Sequence, residues 1–292
     1  PGIVHIGLGN FHRAHMAVYL DDLFALGEGQ DWAILGAGVR EGDARMRDAL
    51  KRQDCLSTVI ELDPKGKSAR RIGSMIDFLP VEPDNAGLIA AMSRPEIRIV
   101  SLTVTEGGYF IDPATGSFDP THPEIVADAA TPHRTAFGAI IAALKARRAA
   151  GVAPFTVMSC DNLPGNGHVT KDAVTGLARL SDPALADWIA ANVAFPNGMV
   201  DRITPATGPR ERAMAAAFGL HDDPVPVTCE PFRQWVLEDH FPQGRPALEK
   251  VGVTLTPDVH AFELMKIRIL NGGHATIAYP TSSMSTRRWP IR

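Results

Sequence analysis

Lys266, Asn271 and His274 are the residues of this chain whose types and spacing carry the most chemistry. They lie in the stretch Phe262-Glu263-Leu264-Met265-Lys266-Ile267-Arg268-Ile269-Leu270-Asn271-Gly272-Gly273-His274, which has helical periodicity. At about 100° per residue the three fall within an arc of about 140°, and Glu263 flanks Lys266 on the same side. An amine, an amide and an imidazole converging on one cleft can hold an alcohol or carbonyl oxygen. Taking hydride from an alcohol carbon also needs a base for the hydroxyl proton. A lysine serves when burial or a cationic setting brings its pKa down from about 10.4. The amide of Asn271 can then stabilise the developing alkoxide. The same spacing also suits a helix with a snorkelling lysine and a terminal Asn-Gly pair. These residues alone leave both readings open.

Chemistry of this kind needs a hydride acceptor, and the N-terminal end offers a place for one. The β-prone run Ile3-Val4-His5-Ile6 ends in Gly7-Leu8-Gly9, followed by Asn10 and Phe11 at the start of a helical rhythm that runs to Leu26. Such a glycine turn lets backbone amides approach a pyrophosphate at a helix start. The third fingerprint position is His12 rather than glycine. A metal pair of His12 and His15 is disfavoured, because no carboxylate cluster accompanies them. The second strand, Trp32 to Gly38, is followed by Asp43. An acidic residue there accepts hydrogen bonds from an adenosine ribose and repels a 2′-phosphate, favouring NAD over NADP. A solvated first-turn aspartate fits the spacing equally well.

The elements that must position these groups alternate. Strands are read at Ile97 to Val104 and Phe155 to Ser159, with a long helix from about Thr135 to Ala150 between them. Strand and helix in alternation point to βαβ units and a parallel sheet, so the fold class is α/β. Later segments, Pro224 to Glu230, Phe232 to Leu237 and Val251 to Leu255, read as an antiparallel extension of that sheet. A helix follows from Thr256-Pro257-Asp258, with Thr256 as its cap and Pro257 in its first position. Polar groups also stand at strand ends, in Thr103-Val104-Thr105-Glu106-Gly107-Gly108-Tyr109 and in Ser159-Cys160-Asp161-Asn162-Leu163-Pro164-Gly165-Asn166-Gly167. Either segment is also an ordinary turn composition.

Composition narrows the classes. The 292 residues are 45% hydrophobic and 21% charged, as in a globular protein. The net charge of −4 argues against a nucleic-acid partner. No apolar run approaches the roughly 20 residues of a membrane span. The first residues read as a buried strand without a basic leader, an expectation of cytoplasmic location. Cys55, Cys160 and Cys229 are three, widely spaced and in no C-x-x-C pair, so neither a disulfide framework nor a zinc site is expected.

Together these motifs resemble the mannitol dehydrogenase family, the polyol-specific long-chain dehydrogenases. The resemblance rests on Gly7 through His15, Thr105 through Tyr109, Ser159 through Leu163, Asn197-Gly198-Met199-Val200-Asp201-Arg202-Ile203-Thr204-Pro205, and Lys266 through His274. It runs from the first residue to about Pro280. It implies a Rossmann-type doubly wound sheet over residues 1–256 and, from 257 to 292, the start of a mostly helical substrate domain. It also implies metal-independent, NAD-dependent oxidation of a polyol to a ketose, most nearly D-mannitol to D-fructose, by a monomer. Carried onto this chain, Lys266 becomes the general base. Asn162 and Asn271 bind the reacting oxygen, and His274 positions the substrate. Glu106, Asp201 and Glu263 become polar active-site residues, and Asp43 sets the preference for NAD. Fructuronate or tagaturonate reduction and arabinitol oxidation are the alternatives within the family. A nucleotide-binding remnant without catalysis is the alternative outside it, and a dinucleotide-sensing regulator is remote.

The ending, Thr281 to Arg292, departs from the family's pattern. With one permitted codon choice, a shifted reading frame continues His-Val-His-Glu-Ala-Met-Ala-Asp, which resembles the family again. The expectation is therefore a chain shortened by a frameshift, poorly stable or weakly active without its second domain.

Overall fold

The computed structural model describes residues 1–131 and 133–266. Its first half alternates β1 (Ile3–Ile6), α1 (Asn10–Ala14), α2 (Met16–Ala25), β2 (Ile34–Ala37), α3 (Asp43–Lys51), the hairpin β3 (Ser57–Asp63) and β4 (Gly66–Ile72), then β5 (Met75–Phe78) and α4 (Ala86–Ser93). It continues through β6 (Ile99–Leu102), α5 (Pro123–Ala130), α6 (Ala136–Ala149), β7 (Thr156–Ser159), α7 (Asn166–Ser181) and α8 (Pro183–Asn192). The last described stretch holds β8 (Gly198–Asp201), α9 (Pro209–Ala217), β9 (Val227–Cys229), β10 (Gln234–Leu237), β11 (Thr254–Leu255) and α10 (Val259–Met265).

Five strands form the central sheet in the order β5-β2-β1-β6-β7, every neighbouring pair parallel. Strands β1, β2, β6 and β7 are buried at every residue, which explains their near-continuous apolar sequences. Alternate residues feed opposite faces. Val4, Ile6, Val100, Leu102 and Val157 pack beneath α4, α6, α7 and α8. Ile3, Ile34, Ile99 and Met158 pack against α2 and Trp235. The result is a doubly wound, Rossmann-type sheet whose strand order reverses between β1 and β6, the crevice where open α/β sheets take ligands.

The antiparallel part takes the form of two separate three-stranded sheets, β11-β10-β8 and β4-β3-β9, each with one antiparallel and one parallel pair. Arg202, just after β8, ties them to the first helix. It donates to Ala14 O at 2.6 Å, to Glu230 O at 3.0 Å and to Glu61 Oε1 at 2.6 Å.

Two local expectations are corrected. The helix read from Phe11 to Leu26 is broken at His15, whose backbone turns to φ −122° and ψ −93° while its ring donates to Gln234 O of β10 at 2.9 Å. The last helix is capped by Asp258, which accepts from Ala261 N at 3.1 Å. Thr256 instead receives Asp258 N, one residue before the helix entry. Proline at 257 starts the bend, and the Asp258 carboxylate, two residues nearer the helix than the Thr256 hydroxyl, reaches the free amide of Ala261. At α6, read from the sequence only as a helix beginning near Thr135, the Thr135 hydroxyl caps the first turn, accepting from Gly138 N at 3.0 Å. Among the described residues no helix is long and apolar enough to cross a membrane.

Candidate active site

The loops that leave β1, β2, β6 and β7 all open on the same end of the sheet, where two adjoining cavities of about 420 and 750 Å³ share Gly9, Met46, Thr103 and Thr105 in their walls. The smaller cavity also meets Gly7 and Asp43, and the larger meets Asn10, Phe11, Asn162, Asp201 and Lys266.

Glycine is required at position 7. Its φ is +99°, and a Cβ there would stand 2.0 Å from Thr103 O. At Gly9 a Cβ would meet nothing within 4 Å, so the backbone lies open to the cavity. The turn is braced from beneath by His5. Gly7 O accepts from His5 Nε2 at 3.0 Å and from the Thr103 hydroxyl. The carbonyl can only accept, so Nε2 carries the proton, and Nδ1 accepts from Ser101 Oγ at 2.8 Å. Ser101 is also the register partner of His5 across β1 and β6.

Asp43 opens α3 and is pressed against the end of β2, where a Cβ on Gly38 would meet its carboxylate at 2.6 Å. One of its oxygens accepts from Arg40 N at 3.0 Å. The open backbone at Gly9 and a half-buried carboxylate at the rim of the smaller cavity fit the pyrophosphate and adenosine ribose of a dinucleotide. Asn10 and Phe11 line the larger cavity but are committed elsewhere. Asn10 donates to Pro205 O at 2.8 Å and to Thr207 Oγ1 at 3.0 Å, and Phe11 stacks on His15.

Lys266 is carried into the larger cavity by α10, which packs on β8 and β10 through Val259, Phe262, Met199 and Val236. Its Nζ donates to Asn162 Oδ1 at 2.9 Å and to Val200 O at 2.7 Å, and lies 3.5 Å from Asp201 Oδ1. The loop after β7 thus meets α10 at the predicted lysine and amide. Glu263 is buried one turn earlier. It accepts from Gly165 N at 2.9 Å and lines a cavity of about 230 Å³ against Lys266. Glu106 stays exposed in a short 3₁₀ turn and lines neither cavity. Asn271 and His274 lie outside the described residues.

Asp161 also belongs to the site, although sequence reasoning, which places it in a polar strand-end motif, gives it no role of its own. It receives Val104 N at 2.9 Å, Thr105 N at 3.1 Å and Tyr109 Oη at 2.6 Å. Burial raises its carboxyl above the ordinary range, against the pull of these donors, and the nearby Glu106 charge adds to the rise. The signal was an Asp directly before Asn162 at the end of a buried strand. The Val200 carbonyl left no signal, because a backbone group has no side-chain signature.

The sequence profile of the mannitol dehydrogenase Rossmann domain matches residues 1–250. The mannitol 2-dehydrogenase of Cereibacter sphaeroides is 78% identical over 286 residues, covering 97% of this chain and 60% of that protein. Pseudomonas fluorescens mannitol 2-dehydrogenase, solved as a ternary complex with NAD and D-mannitol, superposes with a TM-score of 0.90 at 53% identity, over 95% of this chain and 57% of that one. A D-sorbitol dehydrogenase in substrate-free form gives the same TM-score at 45% identity, over 96% of this chain and 58% of that one. The chain thus spans about three fifths of the length of these relatives. The profile match over residues 1–250, most of the chain, places this chain in the mannitol dehydrogenase family.

Proposed function

We propose that the protein catalyses the NAD-dependent oxidation of D-mannitol to D-fructose, with release of one proton, and the reverse reduction. One observation carries the reading: Lys266 Nζ and Asn162 Oδ1 meet at 2.9 Å in a cavity continuous with the Gly7–Gly9 turn. The relatives named mannitol 2-dehydrogenase support the choice of polyol. Bound NAD supplies the hydride acceptor. Lys266 takes the proton of the reacting hydroxyl on the Nζ lone pair, its two remaining N–H bonds going to Asn162 Oδ1 and Val200 O, and the Asp201 carboxylate 3.5 Å away stabilises the ammonium that forms. Asn162 Oδ1 is occupied by Lys266, and Nδ2 donates to no described residue, so Nδ2 is its donor for the reacting oxygen. Asn271 and His274 complete the oxygen and substrate contacts. Gly7 and Gly9 admit the pyrophosphate, with Asn10 and Phe11 in the adjoining wall, and Asp43 takes the ribose. Glu263 steadies the approach of α10 to the loop after β7, and Glu106, outside both cavities, acts through its charge on Asp161. Residues 1–256 form the dinucleotide domain, and α10 opens the substrate domain. The enzyme works as a cytoplasmic monomer without a nucleic-acid partner, in keeping with its net charge of −4.

The test follows the absorbance of reduced nicotinamide with D-mannitol and NAD, and with D-fructose and NADH. D-sorbitol, D-arabinitol and fructuronate run beside them. Mannitol and fructose are expected to give the highest kcat/KM, whereas preference for fructuronate or silence with every compound overturns the assignment. The sorbitol arm matters because a sorbitol dehydrogenase shares this fold at 45% identity. Asp43→Ser removes one charge near the ribose. At about 5–6 Å and an effective dielectric near 20, that charge is worth ~3 kcal/mol against each unit charge of a 2′-phosphate before screening by solvent and salt. The kcat/KM with NADP is expected to rise on the order of 10–100-fold. An unchanged NAD/NADP ratio would remove Asp43 from the cofactor site.

A further inference from the structure

The wall that the two cavities share contains a backbone that should not hold itself. Thr105 lines both cavities with φ +68° and ψ 162°, a conformation nearly confined to glycine and here occupied by a β-branched residue. Phe110, one residue past the short 3₁₀ turn that follows, is also at positive φ, +54°. Something must hold this loop, and the groups that do so converge on one carboxylate.

We infer that Asp161 is the positioning residue of the site: its carboxylate clamps the strained Val104–Thr105 wall to the strand end that presents Asn162 to Lys266. Oδ2 receives Val104 N and Tyr109 Oη, and Oδ1 receives Thr105 N. The hydroxyl chain behind it is closed. The tyrosine has one proton, given to Asp161, so Ser159 Oγ donates to Tyr109 Oη at 2.6 Å and accepts Asp161 N at 3.2 Å. The backbone of Asp161 is fixed separately, since Asn166 Nδ2 donates to Asp161 O at 3.1 Å and to Gly198 O at 2.8 Å. One anchored residue therefore sets the spacing between the loop after β6 and the loop after β7, the two walls between which the reacting carbon must sit. For its effect on turnover the inference rests on the proposed polyol oxidation, but the clamp itself is testable without it.

An amide cannot replace this carboxylate. In either orientation of Asp161→Asn, Nδ2 faces a backbone N–H, that of Val104 or that of Thr105, donor against donor. Tyr109→Phe removes a donor but leaves both backbone clamps. Amide hydrogen exchange gives the first readout, in the wild-type protein: Val104 and Thr105 lie in a loop, yet their exchange is expected to be slowed by about 100-fold or more. Fast exchange there overturns the inference without any variant. In Asp161→Asn the exchange of at least one of the two amides should rise about tenfold or more, with little change in Tyr109→Phe. In parallel, kcat of Asp161→Asn per folded molecule is expected to fall about 10–100-fold, with the NADH Kd within about threefold of wild type. The double variant with Thr105→Gly, which adopts this backbone without strain, should recover part of that loss. A variant that only loses thermal stability, with exchange and kcat per folded molecule unchanged, marks a purely structural aspartate and refutes the inference. A wild type silent with every polyol but protected at both amides removes the proposed reaction and leaves the clamp standing. An active wild type with an indifferent Asp161→Asn does the reverse.

Discussion

Replacing Lys266 with methionine is expected to lower polyol turnover by about 10²–10⁴-fold, the usual worth of a positioned proton acceptor. Methionine keeps most of the apolar stem, whose side chain is only 13% exposed, so α10 should still pack on β8 and β10. What disappears is the amine that bridges Asn162 Oδ1, Val200 O and the Asp201 carboxylate. NADH binding should stay within about threefold of wild type, because the loss falls on a transition-state interaction and the cofactor turn lies elsewhere. Lys266→Arg separates two roles. A guanidinium retains charge and can reach Asp201, but it does not give up its proton near neutral pH. If Lys266 only fixes Asn162 and the α10 approach, the arginine variant keeps much of its activity. If it accepts the substrate proton, arginine is as inactive as methionine. A methionine variant that retains more than about a tenth of wild-type kcat refutes the base assignment.

The parts of this site that sequence reasoning reached are those carried by side chains on locally regular elements. The buried runs of β1, β2, β6 and β7 are short and apolar because both sheet faces are covered, and that pattern is visible in four residues at a time. The two small sheets were not legible as such. The β3–β9 pairing joins Val59 to Val227, and such long-range register leaves no mark in a local window. β4 reads Gly-Lys-Ser-Ala-Arg-Arg-Ile and is almost wholly exposed, so its pairing with β3 carries no hydrophobic alternation. The break at His15 escaped because it is set by a contact with Gln234, far along the chain. In the site, Lys266 and Asn162 were legible as residue types, whereas the Asp161 clamp was not. Its meaning depends on Val104 and Thr105 amides brought to it by the parallel pairing of β6 with β7.

Acid is expected to unfold this protein steeply, starting from the residues beneath its glycine turn. His5, His12 and His15 are buried at 0%, 1% and 0% exposure, and His5 and His12 stack with ring centroids 3.5 Å apart. Burial holds His5 and His15 down to about 3, and burial with the neighbouring His5, Arg13 and His15 charges holds His12 well below the ordinary value of 6.5. His15 also faces Arg202, Arg233 and Lys266, all cations that oppose its protonation. A folded-state pKa below the unfolded one means that the unfolded chain binds the extra protons. Stability is therefore complete above about pH 6.5 and falls as the pH drops from there toward 3. Each histidine contributes ~1.4 kcal/mol per pH unit in that window, and three together ~4 kcal/mol. Against a stability of roughly 5–15 kcal/mol, the midpoint should fall between about pH 3 and 5. His12 is the informative position, because neither of its ring nitrogens has a partner among the described residues, so replacing it removes a proton site without removing a hydrogen bond. His12→Phe keeps the stack on His5 and should flatten the acid limb by one proton, moving the tryptophan-fluorescence midpoint to lower pH. An unchanged slope and midpoint would mean that His12 is not neutral and unprotonated in the folded protein. The acid limit would then lie with carboxylates such as Asp22 and Asp77, whose folded-state pKa values are lowered and whose ion pairs are lost only at lower pH.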